Sequence, residues 1–194
     1  MNYLVHLFLA GDEESLVGNM MGDFVKGRLD DRYPPGVRRG LEMHRKIDSF
    51  AAGNVFFLRS KHRIDDSYRH YRGILVDVFY DHFLARNWGD YSQVPFPDFI
   101  RNAYRVLDDY REIMPARLRE VLPRMFSSNW LLSYREIDGV DSILRRMSGR
   151  VSRPNPLANG GSELSAWYDR LHGDFRGFMP ELIRFAKQWN QAGQ

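Results

Sequence analysis

Residues 74–84 read ILVDVFYDHFL. Wound into a helix, Ile74, Leu75, Val76, Val78, Phe79, Phe83 and Leu84 leave hardly any polar face, and a helix that is apolar all round is a buried one. The segment 66–88 is therefore read as one long, largely buried helix. It also carries Asp77 and Asp81, four residues apart and so on one face, with His82 next. Aspartates are almost never fully buried without a partner. Two of them in such a helix require a metal ion, an arginine or a water-filled cleft.

Most of the remaining chain has the same 3.6-residue periodicity. Helices are expected at 15–26, with Ser15 as N-cap, at about 35–52 after Pro34-Pro35, and at 54–64. Another starts near Pro97, one or two lie within 115–135, and one covers 138–148. A final helix spans about 162–190 with a bend at Pro180. Residues 150–161, RVSRPNPLANGG, cluster Pro, Asn and Gly and read as a loop. Leu4–Leu9 is apolar enough for a strand but too short to decide. No alternating strand or internal repeat is found. With 194 residues, 43% of them hydrophobic, the chain is long enough to bury a real core. The expected fold class is all-α, a single-domain helical bundle over 1–194.

There is no cysteine, which excludes disulfides, thiolate nucleophiles and thiolate metal sites. A metal would need His, Asp, Glu and water. That donor set favours Mn²⁺ or Mg²⁺, or Fe or Zn with mixed ligands. No stretch approaches the roughly 20 apolar residues of a membrane span. The N-terminal MNYLVHLFLAG lacks a basic n-region, so a signal peptide is a poor reading and a cytoplasmic protein is expected, without membrane attachment. The net charge of +3 is too small for a dedicated nucleic-acid binder, but its arginine-rich make-up suits carboxylate or phosphate.

Residues 42–48, EMHRKID, place His44 and Asp48 one helical turn apart. Asp23 lies in another apolar helix, GNMMGDFVKG, where Gly18 and Gly22 let a second backbone approach. His6 interrupts the apolar run YLVHLFL. Each has a bland reading. His44 and Asp48 would line a solvated face, Asp77 and Asp81 would pair with arginines, and His6 would be a hydrogen-bonded core histidine. His62, His70 and His172 read as solvated. Together, however, Asp23, His44, Asp48, Asp77 and Asp81 on separate helices make a hard-ligand cluster of the kind that activates water at phosphate. Arg45, beside His44, is the candidate for stabilising charge on a phosphoryl group.

The blocks NYLVHLFLA, SLVGNMMGDFVKG, PPGVRRGLEMHRKID, LVDVFYDHFLARNW and NWLLSYREIDGVDSILRRM, in this order over roughly residues 1–185, resemble the acyl carrier protein phosphodiesterase family. The resemblance implies an HD-like helical fold and Mn²⁺-dependent hydrolysis of the phosphodiester joining 4′-phosphopantetheine to a serine of acyl carrier protein (ACP). Asp23, His44, Asp77 and Asp48 are then the candidate metal ligands, and Asp77, Asp81, Arg45 and Asp48 the candidate catalytic residues. Asp48, Asp81 or His82 would carry the proton. HD proteins are named for an adjacent His-Asp pair, and this chain has none. The partner would be holo-ACP, an acidic protein, met by a basic rim of Arg38, Arg39, Arg45, Lys46 and the segment SKHR. The alternatives are an HD-type hydrolase acting on a nucleotide and a non-catalytic helical module binding an acidic protein.

Overall fold

The computed structural model describes residues 1–29 and 31–192. Among these no strand occurs. The helices are α1 (Tyr3–Phe8), α2 (Glu13–Met21), α3 (Pro35–Gly53), α4 (Val55–Arg63), α5 (Arg72–Arg86), α6 (Phe96–Asp109), α7 (Ala116–Ser127), α8 (Trp130–Ser133), α9 (Ile137–Ser148), α10 (Gly161–Ala166) and α11 (Tyr168–Ala192). None of them is long and apolar enough to cross a membrane.

Local chemistry sets the boundaries. The cap of α2 is Asp12, three residues earlier than expected. Its side chain accepts from the Ser15 amide at 2.7 Å, and Ser15 Oγ accepts from the Asp12 amide at 3.0 Å, a reciprocal capping box. Asn54 caps α4 and separates it from α3. The segment 66–88 is not one helix. Arg69, at φ 46°, breaks it into a 3₁₀ turn and α5. Asn129, also at φ 46°, separates α7 from α8. The last helix runs through Pro180. The expected single segment 162–190 is divided at Trp167, whose φ of −116° ends α10.

The short N-terminal run is a helix. The amides of Leu4 and Val5, in the first turn of α1, donate to Asp81 Oδ2 and Oδ1 at 2.8 and 3.0 Å. A first-turn N–H normally finds its acceptor in a neighbouring cap residue. Here α5 supplies it.

As its composition demands, α5 is central. Leu75, Val76, Val78, Phe79, Phe83 and Leu84 are all buried. Tyr80 and Phe83 meet Phe57 of α4 and Phe175 and Phe178 of α11 in an aromatic cluster. Buried Asp174 on α11 pairs with Arg59 and Arg63 and accepts from Ser60, which docks α11 on α4. Helices α2 and α3 touch backbone to backbone. A Cβ on Gly18 would lie 2.1 Å from the Val37 carbonyl oxygen, so no larger residue fits there.

Candidate metal centre

Four elements converge beside a cleft of about 360 Å³, whose wall includes Asp23, Asp48 and Asp77. His6 comes from α1, Asp23 from the turn after α2, His44 and Asp48 from α3, and Asp77 from the start of α5. The His6 and His44 rings stack at 3.8 Å. His44 Nε2 lies 3.3 Å from Asp48 Oδ2 and 3.7 Å from Asp23 Oδ1. His6 Nε2 lies 3.3 Å from Asp48 Oδ1. The Met1 amine lies 2.7 Å from Asp48 Oδ1 and 3.3 Å from Asp77 Oδ1. Gly22 makes room for this packing, since a Cβ there would fall 2.1 Å from the His44 ring.

The tautomer of His44 follows from its other nitrogen. Nδ1 is 2.9 Å from the Asn19 carbonyl, a pure acceptor, and so carries a proton. In the neutral ring this leaves the Nε2 lone pair facing Asp48 and Asp23, the orientation that metal-binding histidines adopt. Burial lowers the proton affinity of His44, but Asp23 and Asp48 outweigh it and hold the ring up at about 9. Burial pushes His6 down to about 4. Desolvation pushes the Asp77 carboxyl up to about 6 against the pull of the Met1 amine. Asp48 is desolvated too, yet both imidazoles and the amine hold it well below the usual carboxylate range.

These residues fit a divalent ion. His6, His44 and Asp48 offer three ligand atoms within 4.8 Å of one another, with Asp23 and Asp77 alongside. Asp77 Oδ1 and His6 Nδ1 are buried without a hydrogen-bond partner, and the carboxylates already gather one cation, the Met1 amine. The donors are carboxylate oxygen and imidazole nitrogen, a mixed set that suits Mn²⁺, Fe or Zn²⁺ better than Mg²⁺. An ion at His44 must displace the proton held there below about pH 9. Between pH 6.5 and 8.5 the affinity for Mn²⁺ is therefore expected to rise by roughly tenfold per unit, from one released proton. Calorimetry in buffers of different ionisation heat measures both quantities. A flat profile would remove His44 from the ligand set.

Not every expected residue belongs here. Asp81 is fully buried, and both its oxygens are spent on α1. It is a capping group and not a group open to substrate. His82 is also placed elsewhere. Its ring nitrogens meet the Tyr134 carbonyl at 2.7 Å and the Tyr168 hydroxyl at 3.0 Å. Arg45 donates to the carbonyls of Val25 and Gly27 at 3.3 and 2.8 Å, so it fastens the loop after Asp23 and does not line the cleft. The expected basic rim is largely committed as well. Arg38 pairs with Asp31, Arg39 pairs with Asp12, and Lys46 lies over the Trp189 ring. Among the described residues the basic side chain that does line the cleft is Lys61, from the SKHR segment. His6 is a buried, hydrogen-bonded histidine, as its bland reading had it, with Nε2 3.2 Å from the Met1 carbonyl oxygen, and it also packs into the cluster through Asp48 and His44. Its signal was a histidine in an otherwise apolar run.

Comparison with known proteins is consistent over nearly the whole chain. The model of a family described as acyl carrier protein phosphodiesterase matches residues 1–182. A Klebsiella pneumoniae protein of that name is 33% identical over 96% of this chain and 98% of its own. An Enterobacter protein so named is 34% identical with the same coverage, and an Escherichia coli one is 33% identical over 97% and 98%. No solved structure matches.

Proposed function

From the premise that this chain belongs to the acyl carrier protein phosphodiesterase family, we propose that it hydrolyses the phosphodiester linking 4′-phosphopantetheine to a serine of holo-ACP, giving apo-ACP and 4′-phosphopantetheine. The observation that carries the reading is the convergence of Asp23, Asp48 and Asp77, which line a single cleft, with His6 and His44 packed behind them.

The cleft suits such a substrate. Its volume lies at the lower end of the range for small-ligand sites, roughly 300–1,000 Å³. Ala51, Ala52, Phe57 and Ile74 wall it and fit a largely aliphatic arm, while the carboxylate and imidazole end receives the phosphate. His6, His44 and Asp48 would hold a divalent ion, Mn²⁺ by resemblance, with Asp23 and Asp77 alongside. Such an ion lowers the pKa of bound water and neutralises phosphate oxygens. Asn19 keeps the Nδ1 proton of His44 in place and so keeps Nε2 aimed at the ligand carboxylates. Asp77 lines the cleft at that end and is the carboxylate we assign to take a proton from attacking water. Lys61 at the cleft wall supplies the positive charge for phosphate oxygens that the sequence suggested for Arg45.

The test is a gel shift of holo-ACP with protein stripped by EDTA and then resupplied with Mn²⁺. Conversion to the apo form is expected only after Mn²⁺ returns. Conversion in full with EDTA present would end the metal-dependent reading. No conversion with any divalent ion would end the phosphodiesterase reading.

A further inference from the structure

Beside the cleft lies a second, narrow recess of about 70 Å³. The two share Asn2, Asp23 and Met147 as walls, so a group held in one adjoins whatever sits in the other. The rest of the recess is cationic and aromatic. Arg146, near the end of α9, places its guanidinium 4.5 Å from the centre of the Trp130 ring, and Arg150, just past that helix, lies 5.4 Å from the same ring. Among the described residues neither arginine pairs with a carboxylate.

A surface arginine without an acid is ordinary, but this pair is not simply solvated. Arg146 Nη2 is buried with no acceptor, and so is the indole Nε1 of Trp130. Buried N–H donors without partners are rare, and each costs free energy unless something accepts from it. Burial, and then the charge of Arg150, pull Arg146 away from its usual proton affinity. Two neighbouring cations and two unused donors around one recess call for an acceptor-rich anion. The planar fork of arginine matches phosphate oxygens in particular.

We infer that Arg146 and Arg150, braced on Trp130, form an anion subsite that holds the phosphate ester of the substrate beside Asp23. The inference rests on the phosphodiesterase reading for the identity of the ester, but not for the binding of phosphate. Within that reading the two arginines are positioning residues. They fix the phosphorus against the carboxylate and imidazole end of the cleft and make the enzyme discriminate for a phosphorylated arm.

The experiment compares 4′-phosphopantetheine, pantetheine and inorganic phosphate as ligands of the metal-free full-length chain by calorimetry. Metal removal ensures that affinity for phosphate does not come from an ion. The wild type is expected to bind 4′-phosphopantetheine at least about tenfold more tightly than pantetheine. Arg150→Gln, at an exposed position that leaves the fold alone, and Arg146→Gln should collapse that ratio and weaken inorganic phosphate. Pantetheine binding should stay unchanged. Arg146→Lys should recover only part of the loss. Equal weakening of all three ligands, or no weakening in either variant, would overturn the subsite and leave the arginines as packing for α8 and α9. Arginine-dependent phosphate binding in a protein that fails to convert holo-ACP would support the subsite and reject the phosphodiesterase reading.

Discussion

Asp77→Ala is expected to lower turnover of holo-ACP by roughly a thousandfold or more while the protein stays folded. The two effects separate because Asp77 is in place at a cost to the fold. Its carboxyl is desolvated, with its pKa raised to about 6, and one buried oxygen has no hydrogen-bond partner. A carboxylate whose pKa is raised on folding loses stability as pH climbs from the ordinary value near 4 through about 6. At pH 7.5 that cost is present in full. In the metal-free protein, alanine removes it and should leave stability unchanged or raise it by on the order of 1–3 kcal/mol. Circular dichroism and thermal melts in EDTA, beside a turnover assay with Mn²⁺, measure both sides. This is the pattern of a residue kept for chemistry at the expense of the fold. Normal turnover in the variant would defeat the metal assignment. A collapsed fold would make Asp77 a structural ion-pair partner, as a non-catalytic helical module would have it.

Part of this site was legible before any coordinates. The spacing of His44 and Asp48 fixed their common face on α3, and the apolar surroundings of Asp77 marked it as a carboxylate in need of a partner. What failed had physical reasons. Arg45 follows His44 in sequence, but one residue turns a helix by about 100°, which aims it at the Val25 and Gly27 carbonyls and away from the cleft. His6 could not be placed because the identity of α1 as a helix was itself undecided, its first-turn acceptor lying 77 residues away on α5. The breaks at Arg69 and Asn129 were hidden for a similar reason. Both are non-glycine residues at positive φ, a conformation held by surrounding packing and not announced by residue type. Arg146 and Arg150 carried no signal at all, because an arginine without an acid is recognised only when its neighbours in space are known.

Asp81 supplies the contrasting case. It shares a helix face with Asp77, and the sequence placed both in the chemistry. One turn further along α5, however, that face lies under the start of α1, and the carboxylate is spent on the Leu4 and Val5 amides. Asp81→Ala would leave two buried N–H groups without acceptors, at about 1–3 kcal/mol each. Some of that is offset, because burial holds the Asp81 carboxyl up at about 7 against those two donors, so its charge is costly at neutral pH. The net expectation is a loss of about 2–4 kcal/mol, or a fall in Tm of roughly 5–15 °C for a chain of this size. Asp81→Asn keeps one acceptor and sheds the buried charge, so at pH 7.5 it should cost less than about 1 kcal/mol. Activity should follow stability in both variants, since α1 also carries His6. Asn at Asp77 would not be spared in this way if that carboxylate binds the ion or moves the proton. Thermal melts of the two Asp81 variants beside their turnover decide the matter. A stable but inactive Asp81→Asn protein would return Asp81 to the chemistry, and the capping bonds would then be incidental to its role.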